Sequence, residues 1–106
     1  MRRGEVWWVD LDPTRGSEIR KTRPAVVLSV DALNRARRTV VVVPLSSSPD
    51  PRPPIVVAVP SAGGDSVAVC DQVRAVDKGR LARMKGRLSD VDLRAIEDGL
   101  RTILGL

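Results

Sequence analysis

The chain predicts a small, mainly β domain: a strongly bent antiparallel sheet or barrel, closed by one helix at the C-terminus. Three observations carry this. Apolar residues come in short, valine-rich runs separated by turn residues, as in Val6-Trp7-Trp8-Val9, Ala25-Val26-Val27-Leu28 and Val40-Val41-Val42-Val43. The chain holds two tryptophans but no Phe or Tyr, so its core must be Val, Leu, Ile and Ala, and clustered β-branched residues fit a pleated surface. After Ser89 the period changes, and Leu93, Ile96, Leu100, Ile103 and Leu104 fall on one helical face.

Taken in order, Gly4 to Leu11 reads as a first strand, and Asp12-Pro13-Thr14 turns it into a basic loop. Arg23 precedes Pro24, which biases its backbone to an extended shape, and Pro24 to Val30 reads as a nearly continuous apolar, hence central, second strand. Asp31 to Arg38 is polar, with the length of a short helical turn. Thr39 to Val43 is a third strand. The prolines between Pro44 and Pro54 remove ladder donors, so this serine-rich stretch reads as an exposed loop. Ile55 to Val59 is a fourth strand, Ser61 to Asp65 a turn by composition, and Ser66 to Cys70 and Gln72 to Val76 a fifth and sixth strand kinked near Asp71. Asp77 to Arg80 is a turn, and Leu81 to Lys85 a last short strand. Ser89 is the expected N-cap of the final helix, with the Asp92 carboxylate three residues on. No repeat or linker divides the 106 residues, so one domain spanning 1–106 is expected.

Eighteen Lys and Arg against thirteen Asp and Glu give a net charge of +5 and a pI near 10.6. Such a balance favours a polyanion partner, nucleic acid above all, because neutralising phosphates releases counterions. The single cysteine, Cys70, excludes an internal disulfide, and its apolar neighbours suit a buried thiol. No apolar run has the length of a membrane span, and the first residues lack the pattern of a signal peptide, so a cytoplasmic location is expected. There is no histidine, which excludes the usual neutral-pH general base, the usual zinc ligand and a Ser-His-Asp triad. Asp10 and Asp12 look like strand-end residues rather than a metal site, and no cofactor is expected. Any chemistry must use Arg, Lys, Asp, Glu, Ser, Thr or the backbone.

The segment Arg15-Gly-Ser-Glu-Ile-Arg-Lys-Thr-Arg23-Pro24 packs four cations, one carboxylate and two hydroxyls into a loop framed by strands. Loops of this kind can meet a polyanion while the strands hold their ends. Taken alone, each residue also has a plainer role: Arg23 as a solvated charge, Glu18 as a neighbour neutralising Arg15 or Arg20, Gln72 as a cross-strand partner, and Arg35, Arg37 and Arg38 as either a nucleic-acid track or a solubilising loop. Trp7 and Trp8 are adjacent in a strand and point to opposite faces. One belongs to the core and the other to an interface or a stacking surface, and the sequence does not decide which.

Gly4-Glu-Val-Trp-Trp-Val-Asp-Leu-Asp-Pro-Thr-Arg-Gly-Ser-Glu18 and Arg23-Pro-Ala-Val-Val-Leu28 resemble the start of the MazF/PemK family of bacterial toxins. Val43-Pro44-Leu45-Ser46-Ser47 and the stretch from Asp71 to Leu81 are similar to later elements of that family, in the same order. The resemblance implies an SH3-like barrel of the CcdB/MazF/PemK type, a homodimer, and a metal-independent endoribonuclease that cuts single-stranded RNA at short sequences. It also implies a MazE-like antitoxin whose extended tail blocks the RNA groove; a competitor for a positive groove should be acidic. The family pairs an Arg before the Pro of the second strand with a hydroxyl at the end of the third, here Arg23 and Ser46. That hydroxyl is usually Thr, and Ser47 competes with Ser46 for the role. Glu18 is the candidate for orienting Arg23 or accepting the 2′-OH proton. Arg15, Ser17, Arg20, Lys21, Thr22, Ser47, Gln72 and Arg74 are the expected RNA contacts. The alternatives are a non-catalytic toxin on the same barrel, such as a CcdB-like gyrase poison, and an inactive RNA-binding relative.

Overall fold

The computed structural model describes the chain apart from Thr14, Ile19, Arg20, Ser48 and Pro49. Seven antiparallel strands are followed by a helix: β1 (Glu5–Asp10), β2 (Thr22–Val27), β3 (Thr39–Ser46), β4 (Val56–Ala58), β5 (Val67–Val69), β6 (Arg74–Asp77), β7 (Leu81–Arg87) and α2 (Asp90–Leu104), with a short α1 (Asp31–Ala36) between β2 and β3. The order β4-β5-β3-β2-β1-β7 places β2 between β1 and β3, as its apolar run predicts, and β6 pairs separately with β3. The sheet is bent but does not close into a complete barrel: among the described residues no ladder joins β4 to β7. The Lys85 ammonium on β7 donates instead to the Ala62 carbonyl, in the 3₁₀ turn Pro60–Ala62, at 3.2 Å.

Two apolar clusters fill the bend. One gathers Val6, Val26, Val43, Leu45, Val57, Val59, Ala68, Cys70 and Ile96 under α2. The other gathers Val9, Leu11, Ala25, Val27, Val40, Val42, Val76 and Leu81, with Trp7 packed against it. Trp7 is thus the core-side tryptophan, and its Nε1 donates to Glu5 Oε1 at 3.1 Å.

Three expectations are corrected. β3 does not stop at Val43 but runs through Pro44 and Leu45, both buried, to Ser46. Proline is tolerated because β3 changes neighbour there: β6 pairs residues 39–42 and β5 pairs 45–46, so the missing N–H falls between two ladders. β2 begins at Thr22 and ends at Val27, while Val30 stands 60% exposed ahead of α1. Leu104, placed on the buried face of the final helix, is 56% exposed in its last turn, although Ile96 is fully buried and Leu93, Leu100 and Ile103 pack on the core.

The helix cap is more elaborate than a capping box. Ser89 Oγ accepts from Asp92 N at 3.1 Å, as expected. The Asp92 carboxylate does not return to Ser89 N. It accepts from Ser61 N at 2.8 Å and from the Ser61 hydroxyl, and Ser61 Oγ accepts from Ser89 N at 3.0 Å. Ser61 is inserted into the box and ties α2 to the turn after β4.

Cys70 is fully buried beneath α2, and burial first, then the neighbouring Asp71 charge, push its thiol up to about 11. The folded state therefore keeps the proton that the unfolded chain releases near 9.0, so stability is full below that value and falls as pH rises toward about 11. A disulfide exchange reagent at pH 8 is expected to leave the native thiol unlabelled and to titrate one thiol per chain in denaturant. Rapid native labelling would place Cys70 outside the core.

Candidate active site

β2 and β3 pair with Ala25 opposite Pro44, Val26 opposite Val43 and Val27 opposite Val42. That ladder ends at Ala25–Pro44, and Arg23 on β2 and Ser46 on β3 each lie two residues beyond it. The sequence stretch Arg23-Pro24 and the stretch Pro44-Leu45-Ser46 therefore meet because the strands between them are buried and fixed in register. A cavity of about 300 Å³ opens there, lined by Trp8, Thr22, Arg23, Ser46, Ser47, Ser66 and Lys85 among others.

This cavity suits a phosphate with a base beside it. Arg23 and Lys85 supply two cations, the hydroxyls of Thr22, Ser46, Ser47 and Ser66 can donate, and no described lining residue carries a carboxylate. Trp8 is half-buried on the cavity side of β1, with the Arg83 guanidinium 5.5 Å from its ring centroid on the partner strand β7. Of the two tryptophans, Trp8 is thus the one placed to stack on a base. Sequence reasoning missed Lys85. It enters only because β7 pairs with β1, bringing Arg83 opposite Trp8 from a distant part of the chain.

Glu18, Gln72 and Arg74 lie together in a second cavity of about 290 Å³, with Leu11, Pro44, Asp71 and Val73. It adjoins the first along β3, where Pro44 lines one and Leu45 and Ser46 the other. The Glu18 carboxylate accepts from Arg15 N at 2.6 Å, and Glu18 N returns to the Arg15 carbonyl at 3.2 Å. Arg74 donates from Nη1 to the Leu11 carbonyl at 3.3 Å and lines the same cavity. A third cavity shares Ser47 and Ser66 with the first and extends it past Asp50, Pro51 and Asp65. The end of β3 thus borders all three cavities, through Pro44 in one, Leu45 and Ser46 in another and the neighbouring Ser47 in the third.

The base of the first loop is tightly held. Lys21 N donates to Asp12 Oδ1 at 3.1 Å, Leu11 N to the Lys21 carbonyl at 3.0 Å, and Arg80 to the carbonyls of Asp10 and Asp12. Lys21 has a positive φ of 67°, uncommon for a lysine, at the point where the chain re-enters β2. Arg15, Ser17 and Lys21 are exposed on this loop and line none of the three cavities, and Arg20 lies outside the described residues. No group of three or more His, Cys, Asp or Glu that could hold a metal occurs among the described residues, and no helix there is long and apolar enough to cross a membrane.

Residues 2–104 match the family model of the PemK-like, MazF-like toxins of type II toxin–antitoxin systems. The chain belongs to this toxin family. It is 38% identical over 115 residues to endoribonuclease MazF9 of Mycobacterium tuberculosis, covering all of this chain and 98% of that one. It is 37% identical over 109 residues to endoribonuclease PemK of Escherichia coli, covering 98% and 82%. The crystal structure of MazF from Deinococcus radiodurans superposes with a TM-score of 0.89 at 27% identity, covering 100% and 97% of the two chains. A MazE–MazF crystal structure from the same organism superposes at 0.78 with 25% identity, covering 99% and 96%. The likeness thus spans this MazF/PemK toxin from end to end, and the residues that carried the resemblance, Arg23 and Ser46, share one cavity.

Proposed function

We propose that this chain is the toxin of a type II toxin–antitoxin system and acts as an endoribonuclease that arrests growth by cutting single-stranded RNA. The observation that carries this reading is the cavity that Arg23 and Ser46 both line, with Lys85 as a second cation and Trp8 as a stacking surface. RNA brings its own nucleophile. The 2′-oxygen attacks the adjacent phosphorus and loses its proton to a base. The bond from phosphorus to the 5′-oxygen breaks, and that oxygen takes up a proton. The products are a 2′,3′-cyclic phosphate and a 5′-hydroxyl. The extra negative charge of the phosphorane is what the protein must stabilise, and the Arg23 fork is suited to it; guanidinium keeps its charge and is a poor proton shuttle. Ser46, with Ser47 beside it, hydrogen-bonds the scissile phosphate. Glu18 is assigned the base or an orienting role from the neighbouring cavity, which also offers Gln72 and Arg74 to the RNA.

The partners follow from the same reading: an acidic MazE-like antitoxin that competes for the groove, and a second copy of the chain. Support for the antitoxin is the MazE–MazF structure, whose toxin shares this fold. Support for the dimer is a groove of about 430 Å³ lined by Leu28, Leu33, Val41, Leu100 and Leu106 together with Arg3, Ser29, Glu97 and Arg101, where a second copy would bury the exposed Leu33 and Leu106. A CcdB-like poison would not need the Arg23–Ser46 pair, and nothing in the groove favours it.

The test is cleavage of a long single-stranded RNA in EDTA, with the cut ends sequenced. Short recurring cut sites with 5′-hydroxyl ends are expected. Intact RNA after incubation with folded, partner-free protein would overturn the ribonuclease reading.

A further inference from the structure

A second basic surface stands at the opposite end of β3 from the Arg23–Ser46 cavity. Arg35, Arg37, Arg38 and Lys78 line a cleft of about 450 Å³ with Ala36, Asp77 and Gly79. The backbone fixes it from both sides: Arg37 N caps α1 on the Leu33 carbonyl at 3.0 Å, and Lys78 N donates to the Arg38 carbonyl at 2.8 Å. Asp77, the one carboxylate among the described lining residues, has Oδ1 engaged by Gly79 N at 2.7 Å. Asp31, at the other end of α1, is bound to Arg3 N at 2.7 Å, which chiefly holds its carboxyl below the usual range. Among the described residues, none of the four cations of the cleft forms an ion pair. Arg35 faces Asp31 one turn back on α1, and four cations against the single lining carboxylate Asp77 still leave the cleft net positive.

The lining also says which kind of ligand. It has no aromatic ring and no large apolar side chain. A peptide would lack an anchor there and a base would lack a stacking platform, whereas a row of phosphates needs neither. Thr39 and Ser46 mark the two ends of β3. At roughly 3.3 Å per residue the strand spans about 23 Å, most of a molecule measuring 32 × 28 × 27 Å. A strand seated in the first cavity must continue well past the cut before it reaches the cleft.

We propose that the Arg35–Arg37–Arg38–Lys78 cleft is a second RNA-backbone site, which grips a stretch of the substrate several nucleotides from the cut and reads no sequence. This rests on the ribonuclease reading. It implies that long RNA is a better substrate than a short oligonucleotide with the same cut site, and that the advantage resides in these side chains.

The experiment compares wild type with R35Q/R37Q/R38Q on two substrates: a long transcript, and a short oligonucleotide centred on a cut site mapped in that transcript. The expected result is a rise of about tenfold in KM for the transcript, an unchanged kcat, and unchanged kinetics on the oligonucleotide. The salt dependence of transcript binding should become shallower by about 2 in log–log slope, since each neutralised phosphate on a single strand contributes ~0.7. The charge-conserving R35K/R37K/R38K should restore both. Equal loss on both substrates, or an unchanged KM and slope, would overturn the proposal. So would weakened binding of an acidic antitoxin with transcript cleavage intact, which would make the cleft a peptide surface. Failure of the wild type to cut either substrate would instead sink the ribonuclease reading.

Discussion

Replacing Arg23 with Ala is expected to reduce RNA cleavage by at least 100-fold while leaving the fold intact. Arg23 is exposed at the start of β2 and belongs to neither apolar cluster, so the sheet is expected to survive its loss. Its effect on rate is another matter. A well-placed donor to a charge that develops only in the transition state is worth about 10²–10³ in kcat, and Arg23 can offer two such donors at once. R23K keeps the charge but loses the planar fork, so it should recover part of the activity and no more. Replacing Ser46 by Thr is expected to preserve or improve the rate, because the β-branch stiffens the rotamer that presents the hydroxyl. E18Q separates two roles for Glu18. A base role changes the pH profile of kcat/KM; an unchanged profile would leave Glu18 as the residue that closes its loop through Arg15 N. Full activity of R23A, measured with initial rates on a mapped cut site, would remove Arg23 from the reaction and with it the mechanism derived above.

The second large effect is structural. Gly99 is buried in α2, where a helix ordinarily prefers Ala over Gly by about 1 kcal/mol. A Cβ there would stand 2.7 Å from the Pro54 carbonyl oxygen, 3.2 Å from Cys70 Sγ and 3.4 Å from Val57 Cγ2. The nearest of these is backbone and cannot swing aside. G99A should therefore lose net stability despite its better helix propensity, by about 1–3 kcal/mol for overpacking. At about 4–8 °C per kcal/mol in a domain of this size, the melting temperature should fall by roughly 5–20 °C, and G99V should fall further. A G99A variant that melts higher than wild type would mean that α2 does not lie this close to the Pro54 segment.

Where local pattern and tertiary demand agreed, the sequence was easy to read. The central place of β2 followed from an apolar run buried on both sides, and the start of α2 from a serine cap ahead of a clean helical stripe. Pro44 shows the limit. A proline argues against a central strand as a matter of backbone donors, and only the change of neighbour along β3 removes the objection; that change depends on β5 and β6, which lie further along the chain. The site behaves in the same way. Arg23 and Ser46 were legible through a family resemblance, but their sharing one cavity is a property of strand register. Lys85 carries no local mark at all, because an exposed lysine near the end of a chain looks the same whether it faces solvent or a phosphate. Trp7 and Trp8 were correctly separated to two faces by strand alternation, yet which face held the core depended on how β1 met β2 and β7.

The Ser61 link between α2 and the turn after β4 reaches further than the helix it caps. Its neighbour Ala62 lines the Arg23–Ser46 cavity and receives the Lys85 ammonium. The Ala62 side of the cavity is thus fastened both to the first turn of α2, through Ser61, and to β7, through Lys85. Proteins open in cooperative pieces, and a terminal helix is a natural first piece to come loose. When the first turn of α2 loosens, Ser61 loses the Asp92 carboxylate and Lys85 loses a fixed partner, while Ile96 and the rest of the helix keep their place on the core. Amide exchange at the start of α2 and at Ala62 would then share one opening rate. The toxin would possess a partly open form in which the sheet is native but the pocket is unmade.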